Sequence, residues 1–378
     1  MVYLDNAATT FPKPETVYTF MDKFYREFGV NVGRGQHKLA DKASSLVAET
    51  RQLLLGMFKC SNKEVVFTPS ATEALNIILQ GLTWKDNMTV YITPFEHNAV
   101  MRVLYHISSL HKLNIVELAV DKTTFTYDLE KIEYQFQSTK PDVVVMSHAS
   151  NVCGLIAPIK EICDLSKKHG AINVIDMAQT AGLIDTDLSS IQTDFAVFAG
   201  HKTLYAPFGA AGFVCDKNPP IVPLLYGGTG VDSASRVLPN DLPERFEIGS
   251  INVAAIAGLN AALKWIDDVS ISAIYEREKL LTEEIIEISR RYKNVKVVGR
   301  GNGDHIGVIS LVFDGYASDA IGQVLSDRDI AVRTGLHCAP DAHQFLGTFP
   351  NGTVRISVGY FNKINKLEEA FEYINANN

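Results

Sequence analysis

Lys202 follows the apolar run FAVFAG and stands beside His201 in the stretch FAGHKTLYAPFGAAGF. A lysine at the end of a buried strand is costly unless its charge is paired or removed. Schiff-base formation with a carbonyl cofactor removes it. Asp176 closes the run AINVID 26 residues earlier. Asn151 follows DVVVMSHAS, His97 follows VYITPFE, and Ser70, Ala71 and Thr72 follow EVVFT at the start of a helical pattern. Free N–H groups and a hydroxyl at such a helix start suit a phosphate. Each residue alone also has a structural reading. Thr72 or Ser70 can be an N-cap, His97 a satisfied buried histidine or helix-start residue, Asp176 a cap on the next turn, and Lys202 a snorkelling side chain. Together they make an aldehyde-binding amine, an acid for a pyridine nitrogen, an imidazole to cover a ring and an anion-binding helix start. Those are the parts of a pyridoxal 5'-phosphate site.

The elements that must position these groups follow from hydrophobic periodicity. From about residue 64, short β-rich runs alternate with helical patterns: EVVFT before ATEALNIILQGL, MTVYIT before HNAVMRVLYHISSLH, NIVELAV before YDLEKIEYQFQ, and DVVVMSHAS before IKEICDLSKKHG. AINVID, FAVFAG and AAGFVCD follow. Near-continuous apolar strands alternating with helices predict a parallel or mixed sheet covered on both faces, with ligands beyond the carboxyl ends of its strands. Two helices, roughly 14–28 and 38–59, precede the sheet. After PNDLPERFEIGSIN a long helical region, about 253–292, leads into NVKVVG, HIGVISLVF, a helix near 317–326, IAVRTG, TVRIS and a last helix from about 363. That pattern predicts a smaller α/β domain of antiparallel character, with the boundary inside the helical region.

A chain of 378 residues suits two domains, and 46% hydrophobic with 21% charged residues is ordinary globular composition. The formal net charge of −8 offers no general attraction to nucleic acid or anionic membrane. No basic run with interleaved aromatics suggests a nucleic-acid surface, and no apolar run approaches the roughly 18 residues of a membrane span. The start, MVYLDNAATTFPKP, has no basic region followed by an apolar stretch, so the expected location is cytoplasmic. Cys60, Cys153, Cys163, Cys215 and Cys338 are too few and too scattered for a disulfide framework or a zinc site, and no metal is expected. Most should be small buried hydrophobes, with Cys338 the exception.

The segments YLDNAATTFPKP, SATEALN, EHNAV, DMAQTAG, GHKTLYAPFGAAGF, RFEIGSIN, RTGLHCAP and GTVRISVGYFN run in that order from Tyr3 to Asn362. Together they resemble the class V aminotransferase-fold family, in particular its cysteine desulfurase and selenocysteine lyase group. The resemblance implies an α/β protein of PLP-dependent transferase fold type I, with a large domain of mixed, mostly parallel sheet covered by helices and a smaller α/β C-terminal domain. Residues 1–260 would form the large PLP-binding domain, with segment 1–15 packing with the small domain. Residues 261–378 would form the small domain carrying the Cys338 loop. A homodimer with active sites at the subunit interface is implied as well.

Carried over residue by residue, Lys202 matches the Schiff-base lysine and Asp176 the partner of the pyridinium nitrogen. His97 resembles the ring-stacking histidine, and Gln179 and Asn151 the groups near the phenolic oxygen and the substrate. Ala71, Thr72 and His201 resemble phosphate ligands, and Ser250 a ligand supplied by the other subunit. Arg355 matches the arginine that forks the substrate carboxylate, a role suited to guanidinium geometry. Arg333 fits the same pocket, and Arg34 would reach the neighbouring site across the dimer. Ala199 stands where the family usually has a serine or threonine ligand to the phosphate, which leaves one donor fewer.

Cys338 decides the implied reaction. By resemblance it would take sulfur from L-cysteine as a persulfide, Lys202 moving the Cα proton and His97 a thiol proton, and L-alanine would leave. Its short loop resembles that of desulfurases serving a dedicated sulfur-acceptor protein. The alternatives are a selenocysteine lyase acting on L-selenocysteine, a lyase acting on a sulfinate, or another class V reaction that needs no Cys338. A scaffold without chemistry is disfavoured by the joint presence of Lys202, Asp176, His97 and Arg355.

Overall fold

Seven strands form the central sheet, in the order Glu64–Thr68, Ala211–Cys215, Phe195–Ala199, Ile172–Asp176, Val143–Ser147, Thr89–Ile92 and Asn114–Glu117. The computed structural model describes residues 1–376 apart from 34, 36, 232 and 233. Ala211–Cys215 runs antiparallel to both of its neighbours, and the other recorded pairings are parallel. This is the mixed, mostly parallel sheet that the apolar runs predict.

Successive side chains alternate between two hydrophobic cores, as the period of two along a strand requires. Val143, Val145, Phe195 and Val197 face the helices Ala71–Gly81 and Asn98–Leu110. Val144, Met146, Ala196 and Phe198 join the core that includes apolar residues of Lys38–Met57, Leu129–Ser138, Ile159–Lys167 and Val253–Val269. Burial on both faces leaves a strand little freedom to slip its register, because a slip of one residue would exchange the two cores.

The predicted helical region 253–292 is two helices, Val253–Val269 and Ile271–Arg290, separated at Ser270. Ser270 has φ +76°, and its hydroxyl accepts from the Ala273 N–H at 3.2 Å, capping the second helix. The first of the two helices packs on Glu15–Phe28 and Lys38–Met57. The second supplies Leu281, Ile285 and Ile288 to a separate core beneath a four-stranded antiparallel sheet. That sheet has the order Val295–Val298, Val308–Phe313, Thr353–Ser357, Arg333–Gly335. Val2–Tyr3 pairs in parallel with Ile330–Ala331, so the start of the chain lies alongside the small sheet. The last helix begins at Leu367, slightly later than the periodicity suggests.

Among the described residues no helix is long and apolar enough to cross a membrane, and no group of histidine, cysteine and acidic residues could hold a metal ion. Cys60, Cys153, Cys163 and Cys215 are buried, Cys338 is partly exposed, and all five are free thiols.

Candidate active site

The carboxyl ends of the parallel strands open onto one cavity of about 230 Å³. Ala71, Thr72, His97, Asn151, Asp176, Gln179, His201, Lys202, Arg333 and Arg355, all singled out in the sequence, line it. Strand register explains the convergence. Ser147 pairs with Asp176 and Asp176 with Val197, so groups leaving these strands emerge side by side. At several positions the structural reading holds at a residue that also faces the cavity. Ser70 caps Ala71–Gly81 by accepting from the Glu73 N–H at 3.1 Å, which leaves Ala71 and Thr72 at the cavity wall. His97 Nδ1 accepts from the Ala99 N–H at 3.0 Å, and Asp176 Oδ1 accepts from the Ala178 N–H at 2.9 Å. Each cap fixes the side chain that also faces the cavity.

Burial dominates the electrostatics. It pushes the Lys202 amine down to about 8; Asp176 opposes that shift while Arg355 and Arg333 reinforce it. A fraction of this lysine is therefore a free base near neutral pH, as nucleophilic and proton-transfer chemistry requires. Burial raises the Asp176 carboxyl above its ordinary range, against the Ala178 N–H and the Lys202 charge. His97 is pushed down to about 4 by burial, then by Lys202, Arg333, Arg355 and Arg102. His201 falls to about 3 through burial, Lys202 and Lys13. Both imidazoles are neutral at physiological pH. His201 stacks on Phe208 with ring centroids 4.5 Å apart, and its Nδ1 is buried without a partner.

Unsatisfied buried polar atoms are rare in folded proteins and ask for a ligand. Here His201 Nδ1 and Asn151 Oδ1 belong to residues on the cavity wall, with a helix N-terminus at Ala71 and Thr72. The donor set matches an anionic group at one end and an electron-poor ring carrying an aldehyde near Lys202. Ala199 also lines the cavity and adds no hydroxyl.

On the small-domain side, Cys338 follows the strand Arg333–Gly335 in a loop that bends through left-handed backbone at His337, φ +49°, and Cys338, φ +60°. The Asn98 N–H donates to the Cys338 carbonyl at 2.7 Å, and Asn151 Nδ2 donates to the His337 carbonyl at 2.8 Å. The loop is thus tied to the helix start after His97 and to the turn after the strand Val143–Ser147. Arg333 Nη2 donates to the Cys338 sulfur at 3.2 Å. The substrate role expected of Arg333 is therefore joined by a direct contact with the thiol. Arg355 is fully buried and donates to the Asn151 carbonyl at 3.0 Å and to Asp5 Oδ1 at 2.6 Å.

Of the expected site residues, Ser250, which the resemblance assigns to the other subunit's site, does not line this chain's own cavity. Ser250 is exposed and accepts from Asn31 Nδ2 at 3.0 Å, away from the Lys202 wall. Arg34 lies outside the described residues. Conversely, the structure adds groups that sequence reasoning missed. The segment from Asp5 to Lys13 clasps the lysine: Thr9 and Lys13 side chains and the Thr10 N–H donate to the His201 carbonyl, and the Thr10 hydroxyl donates to the Lys202 carbonyl at 2.8 Å. Gln179 Nε2 donates to the Ala7 carbonyl at 3.0 Å. Glu96 accepts from Thr93, from the Ser147 N–H and from the Ser147 hydroxyl, and burial pushes its carboxyl up to about 7. It joins the turn that leads to His97 to the end of Val143–Ser147, whose Ser147 pairs with Asp176. The run NAATT and the acid preceding His97 were the available signals, but nothing local tells which distant carbonyl a hydroxyl will meet.

A helix start suited to phosphate, a lysine and a buried aspartate on one cavity wall, and a mixed sheet with a small second domain define a class of fold, the type I fold of PLP-dependent transferases. The profile of the family "Aminotransferase class-V" matches residues 2–369, and the chain belongs to that family. It is 30% identical to a probable cysteine desulfurase of Methanothermobacter thermautotrophicus, covering 99% of this chain and 94% of that one. It is 31% identical to a probable cysteine desulfurase of Vibrio cholerae serotype O1, covering 97% and 91%. Among solved structures it is similar to the apo cysteine desulfurase of Thermococcus onnurineus NA1, with a TM-score of 0.91 at 28% identity over 99% of this chain and 94% of that one.

Proposed function

We propose that this chain is a pyridoxal 5'-phosphate-dependent cysteine desulfurase. L-cysteine and the Cys338 thiol give L-alanine and a Cys338 persulfide; the substrate Cβ–S bond breaks and an S–S bond forms. A thiol on a sulfur-acceptor protein then takes the outer sulfur and returns the Cys338 thiol. The observation that carries the reading is the Arg333 contact with the Cys338 sulfur at 3.2 Å, made by a residue on the wall of the Lys202 cavity.

Ala71, Thr72 and His201 would hold the phosphate, Asp176 the ring nitrogen, Gln179 and Asn151 the phenolic side, and Lys202 the aldehyde carbon. When bound, the cofactor supplies an electron sink conjugated to the substrate Cα. The chain's residues do the rest. Arg355 receives the substrate carboxylate. Lys202 Nζ takes the Cα proton and returns it, a task matched by an amine poised near 8. His97, neutral and capped in place, covers the ring and exchanges a proton at the thiol. Cys338 carries the sulfur on a loop that is partly open to solvent, where an acceptor thiol can reach it.

The reading extends to assembly. Val222, Leu224, Leu225, Tyr226, Val231 and Val237 are exposed within one stretch that leads to Ser250. An apolar surface of this kind suits a second copy of the chain. In a homodimer Ser250 would serve the partner's phosphate site. Five free thiols suit a reducing compartment, in keeping with a cytoplasmic enzyme.

The test is release of sulfide and alanine from L-cysteine with a thiol reductant, comparing the native protein with Cys338→Ala. Both proteins should retain the yellow cofactor. Activity should be confined to the native protein. Equal turnover in both, or no turnover of L-cysteine with selenide still released from L-selenocysteine by the variant, would move the assignment to a lyase or another class V reaction.

A further inference from the structure

Arg355 is a buried cation with an incomplete set of partners. One Nη donates to the Asn151 carbonyl at 3.0 Å and the other to Asp5 Oδ1 at 2.6 Å, while Nε is buried with no partner at all. The guanidinium lines the Lys202 cavity. Its neighbourhood is rich in positive charge, with Arg333 and Lys202 both close enough to act electrostatically on the groups there. Among the described residues Asp5 is the one carboxylate in ion-pair contact with Arg355. Asp5 sits in the segment whose neighbours clasp the Lys202 backbone, some 350 positions from Arg355 along the chain.

A carboxylate bound by arginine is held best by two parallel N–H donors on one edge of the fork. Nε is available for one of them, but a donor beside it is engaged by Asp5. An incoming substrate carboxylate must therefore share that nitrogen with Asp5 or displace it, and in either case it meets the Asp5 charge. Building on the assignment of Arg355 to the substrate carboxylate, we infer that Asp5 is a positioning residue that acts as the resting counter-ion of Arg355. It keeps the buried guanidinium neutralised and oriented in the free enzyme. It also sets the affinity for the substrate carboxylate, because that carboxylate competes with it.

The two functions of Asp5 separate on substitution. Asparagine keeps an oxygen that can accept from Arg355 but removes the negative charge, and with it the ion pair. In the purified holoenzyme, Asp5→Asn should lower KM for L-cysteine and the inhibition constant of L-alanine together, by about tenfold. The change should fall on KM more than on kcat, and Asp5→Glu should restore values near the native ones. Melting temperatures of all variants establish that each is folded. A KM that stays unchanged or rises in folded Asp5→Asn would overturn the counter-ion role and leave Asp5 as a tether for its segment. Arg355→Lys separates this outcome from failure of the underlying reading. If that variant binds L-cysteine and L-alanine as the native protein does, Arg355 is not the carboxylate site and both assignments fall. If it binds them weakly while Asp5→Asn has no effect, only the inference about Asp5 falls.

Discussion

The two walls of the Lys202 cavity are built by different means. On the large-domain wall each group leaves the end of a strand, and those strands are buried on both faces and locked in register. Asp176 and His97 are additionally held by capping bonds to their own next turns. On the small-domain wall Arg333 and Arg355 also stand on paired strands, but the Cys338 thiol does not. Cys338 stands in a short loop of left-handed backbone, and Arg355 takes its ion-pair partner from the far end of the chain. Gly335 and Gly352, with φ +90° and +70°, approach so closely beside this loop that a side chain at Gly352 would strike the Gly335 backbone. The contrast teaches that the groups proposed for proton transfer are fixed by sheet register and local caps. Cys338, the thiol proposed above to carry sulfur, stands instead in a loop tied down by long-range bonds.

The sharpest way to break this comparison is at its most rigid point. Lys202→Ala removes the amine that lines the site and should lower turnover of L-cysteine by about 10³-fold or more. The fold should persist, because an uncompensated buried amine costs stability and its loss leaves the strands intact. Turnover assays beside a melting curve check both halves. A variant that keeps more than a tenth of native turnover would mean that the rigid wall does not hold the catalytic base.

A smaller effect separates the two jobs that Arg333 could do on the opposite wall. The contact at 3.2 Å places its guanidinium on the sulfur of Cys338, while its position on the cavity wall also brings it near the substrate. If holding the sulfur is its main task, Arg333→Met should slow single-turnover persulfide formation on Cys338 by about tenfold, a loss of the order expected for a charge-assisted hydrogen bond. KM for L-cysteine should move less. Mass spectrometry of the Cys338 peptide gives the first quantity and steady-state kinetics the second. A tenfold rise in KM with persulfide formation unchanged would assign Arg333 to the substrate instead.

The same contrast explains what was legible in the sequence. The large-domain wall could be read because its residues end apolar runs, and a parallel sheet brings the ends of its strands together whatever lies between them. Lys202, Asp176, His97, Asn151 and Thr72 were found that way. The core could be read for a similar reason: near-continuous apolarity along FAVFA and VVVMS requires both faces of the strand to be buried. Cys338 and Arg355 carry no such local signal and needed the resemblance of RTGLHCAP and TVRIS to a family. The links that fix them were not legible at all. The Asp5 to Arg355 ion pair and the Thr10 to Lys202 bond join residues whose contact depends on tertiary closure rather than on any pattern of spacing. The break at Ser270 was missed because helical periodicity continues on both sides of a single residue with positive φ.

The junction of the two walls supplies the smallest predicted effect, and it is one of stability. Glu278, on the helix Ile271–Arg290, is buried, and burial pushes its carboxyl up to about 8 against a hydrogen bond from the Tyr205 hydroxyl at 3.3 Å. The Tyr205 oxygen also accepts from the Tyr360 N–H at 3.0 Å, and the Tyr205 N–H donates to the Lys202 carbonyl at 2.9 Å. The acid therefore sits where the small-domain helix meets the loop that carries the lysine. Its folded value lies above the ordinary 4.5, so between those limits the folded state holds a proton that the unfolded chain has released. Stability from this group is complete below about 4.5, declines as pH rises toward about 8, and changes no further above it. Glu278→Gln replaces the acid with a permanently neutral group of the same shape. Melting temperature measured from pH 5 to pH 9 should fall more steeply in the native protein than in the variant. At pH 8 the variant should melt higher by about 2–5 °C. Parallel curves with the variant lower throughout would show that Glu278 is held as a carboxylate by its neighbours. In that case the acid would hold the seam between the walls as a charged acceptor of the Tyr205 hydroxyl.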